Sequence, residues 1–196
     1  MKLELVEPTP EVIHEYLKKW DSLVKYQLHE KSLNELFNVY CQNNIDLYKI
    51  ILKVSALNDF YSTNILDTYS VALHIHSMNI DERLDRSDLS LVNQIAKIKI
   101  KDKELNFYSF ATKYCSHHYP DVYPIYDSFV SKMLTAYKKK DKFDQFTLVD
   151  MKNYENFVRV VYNFRQFYKL EEFTIRQIDI FLWLLGKEFK KSTETS

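Results

Sequence analysis

Glycine is nearly missing from this chain: Gly186 is the only one in 196 residues. Gly-rich phosphate loops, dinucleotide-binding turns and P-loops need several glycines at fixed spacing, so nucleotide folds of those kinds are excluded. Four prolines and no Asn-Gly or Asp-Gly pair leave few tight hairpin turns, which argues against an all-β fold. Two cysteines, Cys41 and Cys115, are too few for a disulfide scaffold or a four-thiolate cluster and read as reduced thiols. Charge of one sign is not in excess, with 27 basic and 27 acidic residues, so any polyanion site must come from local clusters. No apolar run approaches the roughly 18 residues of a membrane span, and "MKLELVEPTPEV" lacks a signal core. These absences predict a soluble, cytoplasmic protein with no membrane partner.

What is present is apolar and aromatic in helical rhythm. Phe157, Val158, Val161, Phe164 and Phe167 recur at helix spacing, as do Ile175, Ile178, Phe181, Leu182 and Leu185. Thr9-Pro10 has the form of a cap followed by proline at the first helical position. "SLNE" from Ser32 and "TIRQ" from Thr174 have capping-box form. The pattern predicts helices over about 10–28, 32–41, 45–58, 62–78, 88–98, 105–118, 127–138, 150–168 and 174–189. "KIKIKDK", Lys97 to Lys103, alternates like a strand but is read as a connection between two helices. The expected fold is one compact all-α domain over 1–196, a two-lobed bundle of about nine helices with its active segment near 88–134.

One stretch stands out. In "YPIYDSFV" an ionisable Asp127 follows a proline-led apolar tetrad and opens a helix. Asp is a preferred N-cap, so a purely structural role is available, and the two roles are compatible. A carboxylate at a helix start is also favoured by the N–H groups and the dipole, which suits stabilisation of positive charge on a reacting sugar.

The run helix "DLSLVNQIAKI", basic connection "KIKDKE", helix "LNFYSFATKYCSHH", aromatic passage "YPDVYPIY", then Asp127, resembles the helix-hairpin-helix superfamily of DNA glycosylases. "SFATKYCSHHYPDVYPIYDS" is similar to 8-oxoguanine-glycosylase-like and adenine-glycosylase-like members. The resemblance covers roughly residues 105–134. It implies Asp127 as the essential carboxylate, with Ser109 nearby. Bifunctional members carry a nucleophilic lysine where Ser109 stands, so the implied enzyme is monofunctional. The family hairpin is Gly-rich and this one has no glycine, so lysine side chains would replace the backbone grip on phosphate.

Further roles follow from the resemblance. Asn58, Tyr61 and Ser62 would fill the gap left by an extruded base. Tyr119, Tyr123, Tyr126 and Trp183 would wall the base pocket, although singly each reads as core among 15 tyrosines. Lys99, Lys101, Lys103, Lys113, His117, His118, Ser128 and Lys132 would contact the DNA backbone.

His74 and His76, two apart on a helix, point to different faces, and Cys115 with His118 supplies only two ligands, so no metal site is expected. No organic cofactor is expected either. The partner would be double-stranded DNA, met by a monomer, and the substrate a damaged base or a modified base of phage DNA. The rival expectation is a non-catalytic helical module that binds nucleic acid or protein.

Overall fold

The computed structural model describes residues 5–194; Met1, Lys2, Leu3 and Glu4 of the N-terminal stretch and the last two residues lie outside it. The described chain is mainly helical, with ten α-helices and one two-stranded sheet. In chain order the helices are α1 (Pro10–Asp21), α2 (Val24–Glu35), α3 (Leu47–Tyr61), α4 (Thr68–Ser77), α5 (Asp81–Asp85), α6 (Ser90–Ala96), α7 (Tyr108–His118), α8 (Ser128–Asp141), α9 (Tyr154–Phe167) and α10 (Ile175–Glu194). The chain divides into two compact units, 1–24 with 124–196, and 25–123. Among the described residues no helix is long and apolar enough to cross a membrane.

Two of the expected starts hold at the atomic level. Thr9 Oγ1 accepts from Val12 N–H with Pro10 at the first turn of α1. Thr174 and Gln177 cap each other reciprocally, Thr174 N to Oε1 at 2.8 Å and Gln177 N to Oγ1 at 3.2 Å.

Three expectations are corrected. The first helix does not run to 28: it stops at Asp21, where Ser22 turns its hydroxyl back on the Lys19 carbonyl at 2.6 Å. Ser32 opens no helix but lies within α2, donating to the Leu28 carbonyl, and the chain then widens into a π-turn at Leu36–Tyr40. "KIKIKDK" is not a plain connection. Lys97–Ile100 (β1) pairs antiparallel with Lys103–Asn106 (β2), Ile98 opposite Leu105 and Lys99 opposite Glu104. The alternation decides it, since a period of two buries Ile98 while Lys97 and Lys99 face water. Leu105 and Asn106 belong to this ladder, which delays α7 to residue 108.

In the first unit α10 packs against both α1 and α8. Tyr16 donates to Glu188 at 2.6 Å across the first of these contacts. The second depends on the single glycine. A Cβ at Gly186 would stand 2.6 Å from Phe129 Cβ and 3.1 Å from its Cα. Those atoms belong to the first turn of α8 and have no flexible side-chain end to yield. Gly186→Ala is therefore expected to lower stability by about 1–3 kcal/mol, overpacking outweighing alanine's better helix propensity. A urea titration followed by circular dichroism checks this; an unchanged or raised midpoint would refute the close approach.

In the second unit α3 packs on α4 and α7, and α6 packs on α7 with the β-hairpin between them in sequence.

Candidate active site

Asp127 sits in extended conformation just before α8, and its Oδ1 accepts from Phe129 N–H at 2.7 Å. It caps the helix, as expected. Asp127 is half-exposed, whereas Pro124, Ile125 and Tyr126 before it are buried. What holds this segment is not local. Asp179 of α10, itself buried, accepts from Ile125 N–H at 2.8 Å, and the Tyr154 hydroxyl of α9 donates to the Pro124 carbonyl at 2.8 Å. Backbone groups of a buried irregular segment must find partners. Here two side chains supply them and thereby fix where Asp127 emerges.

Tyr126 packs edge-on against Phe157, with ring centroids 5.2 Å apart, and the ammonium of Lys152 lies 4.3 Å from the Tyr126 ring centre. Ser128 and Lys132, i and i+4 on α8, are both exposed. Trp183 meets Trp20 edge-on at 6.0 Å and carries Lys187 over its ring at 4.3 Å. The same unit holds a groove of about 710 Å³ between the start of α1 and the ends of α8 and α9. Two of its polar groups are engaged with the protein, the Tyr168 hydroxyl donating to Asp141 and Lys140 to the Leu5 carbonyl.

In the second unit Ser109, Lys113 and His117 form one row, i, i+4 and i+8, along α7. Lys113 Nζ lies 2.5 Å from Ser109 Oγ and 5.2 Å from the Tyr61 ring centre. The Tyr61 hydroxyl meets His117 Nε2 at 3.2 Å. Four residues chosen from sequence are thus brought together. Lys113 and His117 are buried and Ser109 half-exposed, so the row presents a hydroxyl at its open end backed by interior cations or donors.

Other candidates go elsewhere. Asn58 closes its own loop, accepting from Ile65 N–H and Thr63 Oγ1 and donating to the Ile65 carbonyl. Ser62 is the left-handed cap of α3. Tyr123 is fully buried, with its hydroxyl 3.4 Å from the Asp88 carbonyl, and exposed Tyr119 donates to Asp85 at 2.5 Å. Lys99, Lys101 and Lys103 are exposed on the β-hairpin, Lys101 in left-handed conformation at its turn.

His118 joins a polar cluster that sequence reasoning missed. Lys53 of α3 is completely buried, and its three N–H groups reach Asn44 Oδ1 (2.6 Å), the Asn43 carbonyl (3.1 Å) and His118 Nε2 (3.3 Å). An ammonium has only donors, so His118 must accept through Nε2 and carry its proton on Nδ1. Tyr114 donates to the same Asn44 Oδ1 at 2.6 Å, and the Asn44 backbone N–H donates to Asp81 at 2.8 Å. Burial lowers the Lys53 amine to about 8 against its ordinary 10.5. Burial, reinforced by the Lys53 charge, holds His118 well below the usual histidine range. A lysine in an apolar helix window gives no sequence sign of such burial. The hint available was Asn43-Asn44 just before α3, a pair rich in acceptors.

Among the described residues no group of three or more His, Cys, Asp or Glu is gathered to hold a metal. His74 instead places Nε2 3.0 Å from the Gln94 carbonyl.

Fold and site together define a helical protein with a half-exposed helix-cap carboxylate that follows a backbone segment held by two distant side chains. The chain belongs to the HI_0787_N family: that family's model, an N-terminal domain, matches residues 12–122. It is also 41% identical over 156 residues to an uncharacterized protein of Haemophilus influenzae, covering 79% of this chain and 75% of the relative. No solved structure matches it. The matched family span takes in the α7 row and the Lys53 cluster and ends before Asp127.

Proposed function

We propose that the protein is a DNA glycosylase of helix-hairpin-helix type, monofunctional, with Asp127 as its essential carboxylate. The observation that carries this reading is the half-exposed Asp127 on a backbone clamped by Asp179 and Tyr154. Cleaving an N-glycosidic bond develops positive charge on the sugar, and a rigidly aimed carboxylate lowers that barrier without reorganising. The base leaves with the bonding electron pair and takes a proton from solvent. Water then adds at C1′ and loses its proton to the carboxylate side. The exposed Lys99, Lys101 and Lys103 of the β-hairpin between α6 and α7 supply charge for phosphate contacts.

The test incubates the purified protein with duplexes carrying oxidised, alkylated or hypermodified bases and scores abasic sites by alkali cleavage. Release of a free base supports the reading, and no release from any duplex removes it. One observation favours a second reading, a non-catalytic helical binding module: the Asp127 bond to Phe129 N–H gives that residue a sufficient structural role. Duplex binding with no Asp127-dependent chemistry would select it.

A further inference from the structure

A carboxylate is a poor neighbour for DNA unless the phosphate beside it is matched by a cation. Lys152 has the placement for that, although nothing in its sequence context marks it. Its backbone is fixed on both sides. Asp150, two residues before, accepts from Thr147 through both N–H and Oγ1, Met151 is fully buried, and Asn153 caps α9 by accepting from Asn156 N–H. The side chain is exposed, and its ammonium stands 4.3 Å from the Tyr126 ring centre. A cation over an aromatic face is held in direction while keeping much of its hydration. Tyr126 is the residue immediately before Asp127, on the segment that Asp179 and Tyr154 clamp. The cation is thereby held against the residue that adjoins the carboxylate in sequence. It suits the phosphate flanking the reacting nucleotide better than the sugar itself.

We propose that Lys152, steered by the Tyr126 ring, binds the DNA phosphate next to the nucleotide on which Asp127 acts. The proposal rests on the glycosylase reading and makes Lys152 a positioning residue rather than a catalytic one. The test is an anisotropy titration of a fluorescein-labelled duplex containing a tetrahydrofuran abasic-site analogue, repeated over a KCl series. Lys152→Ala is expected to weaken binding roughly tenfold and to reduce the slope of log Kd against log salt by about 0.9, one phosphate contact. Lys152→Arg restores both, while Lys18→Ala on the exposed side of α1 changes neither. Tyr126→Leu, which removes the ring face but keeps an apolar plug, lowers affinity in the same direction by a smaller factor. If the wild type binds and Lys152→Ala matches Lys18→Ala, this inference alone is overturned. If the wild type does not bind duplex at all, the glycosylase reading fails and takes the inference with it.

Discussion

Asp127→Asn is expected to slow base release about a thousandfold, while duplex affinity and unfolding midpoint stay near wild type. The separation follows from the two roles of one side chain. Asparagine is as good an N-cap as aspartate, so the bond to Phe129 N–H and the start of α8 survive. The negative charge does not. Losing one preorganised electrostatic group commonly costs a hundred- to a thousandfold, and a sole charge opposite a sugar cation belongs at the upper end. Single-turnover kinetics on the duplex that the wild type processes, with anisotropy and a urea titration alongside, measures all three quantities. An Asn variant with wild-type turnover would leave Asp127 a cap and nothing more.

Asn44→Ala is expected to destabilise the protein by about 3 kcal/mol, the cost of leaving one donor of a buried ammonium and a buried hydroxyl without their shared acceptor. Asn44 is buried, and its Oδ1 serves both the Lys53 ammonium and the Tyr114 hydroxyl. Alanine removes the acceptor and keeps the donors. The same cluster shapes the pH dependence of the wild type. Lys53 has a folded-state value of about 8 below an unfolded value of 10.5, so between these the unfolded chain binds more protons. Stability therefore rises with pH across that window, by up to roughly 3 kcal/mol from this group. The rise ends near pH 9, where the buried Cys115 thiol, pushed up by burial from its ordinary 9.0, acts in the opposite sense, joined near pH 10 by Tyr114, which burial holds well above the ordinary phenol range. On the acid side His118 stays neutral when folded, so its contribution is lost as pH falls below about 6.5. Urea midpoints across pH should show both limbs. Lys53→Met should remove the alkaline rise and leave the acid loss; persistence of that rise would refute the assignment to Lys53.

The α7 row shows how far a sequence carries. Ser109, Lys113 and His117 share a face because four-residue spacing is a local property of any helix, although the resemblance to a family, and not that shared face, marks each of them in the sequence. Tyr61, 56 positions from His117, reaches the row only through the packing of the chain. Lys152 was missed because no local pattern separates a lysine over an aromatic ring from one in solvent. The strand pair at 97–106 was half legible: the alternation was visible, but whether it beat the neighbouring helices depended on Ile98 finding a buried place.

The sequence by itself determined the helical class, the caps at Thr9, Thr174 and Asp127, and the absence of glycine-built sites. Each of these is decided within a few residues by backbone propensity, periodicity and the reach of a short side chain. Only the tertiary structure decided that Lys53 is a buried cation, that Asp179 and Tyr154 grip the segment before Asp127, and that Gly186 must be glycine because Phe129 lies against it. Those depend on groups 30 to 54 positions apart at the clamp and 70 apart between Tyr114 and Asn44. Burial and hydrogen-bond partnership at such separations come from chain packing, which no local window of residues encodes.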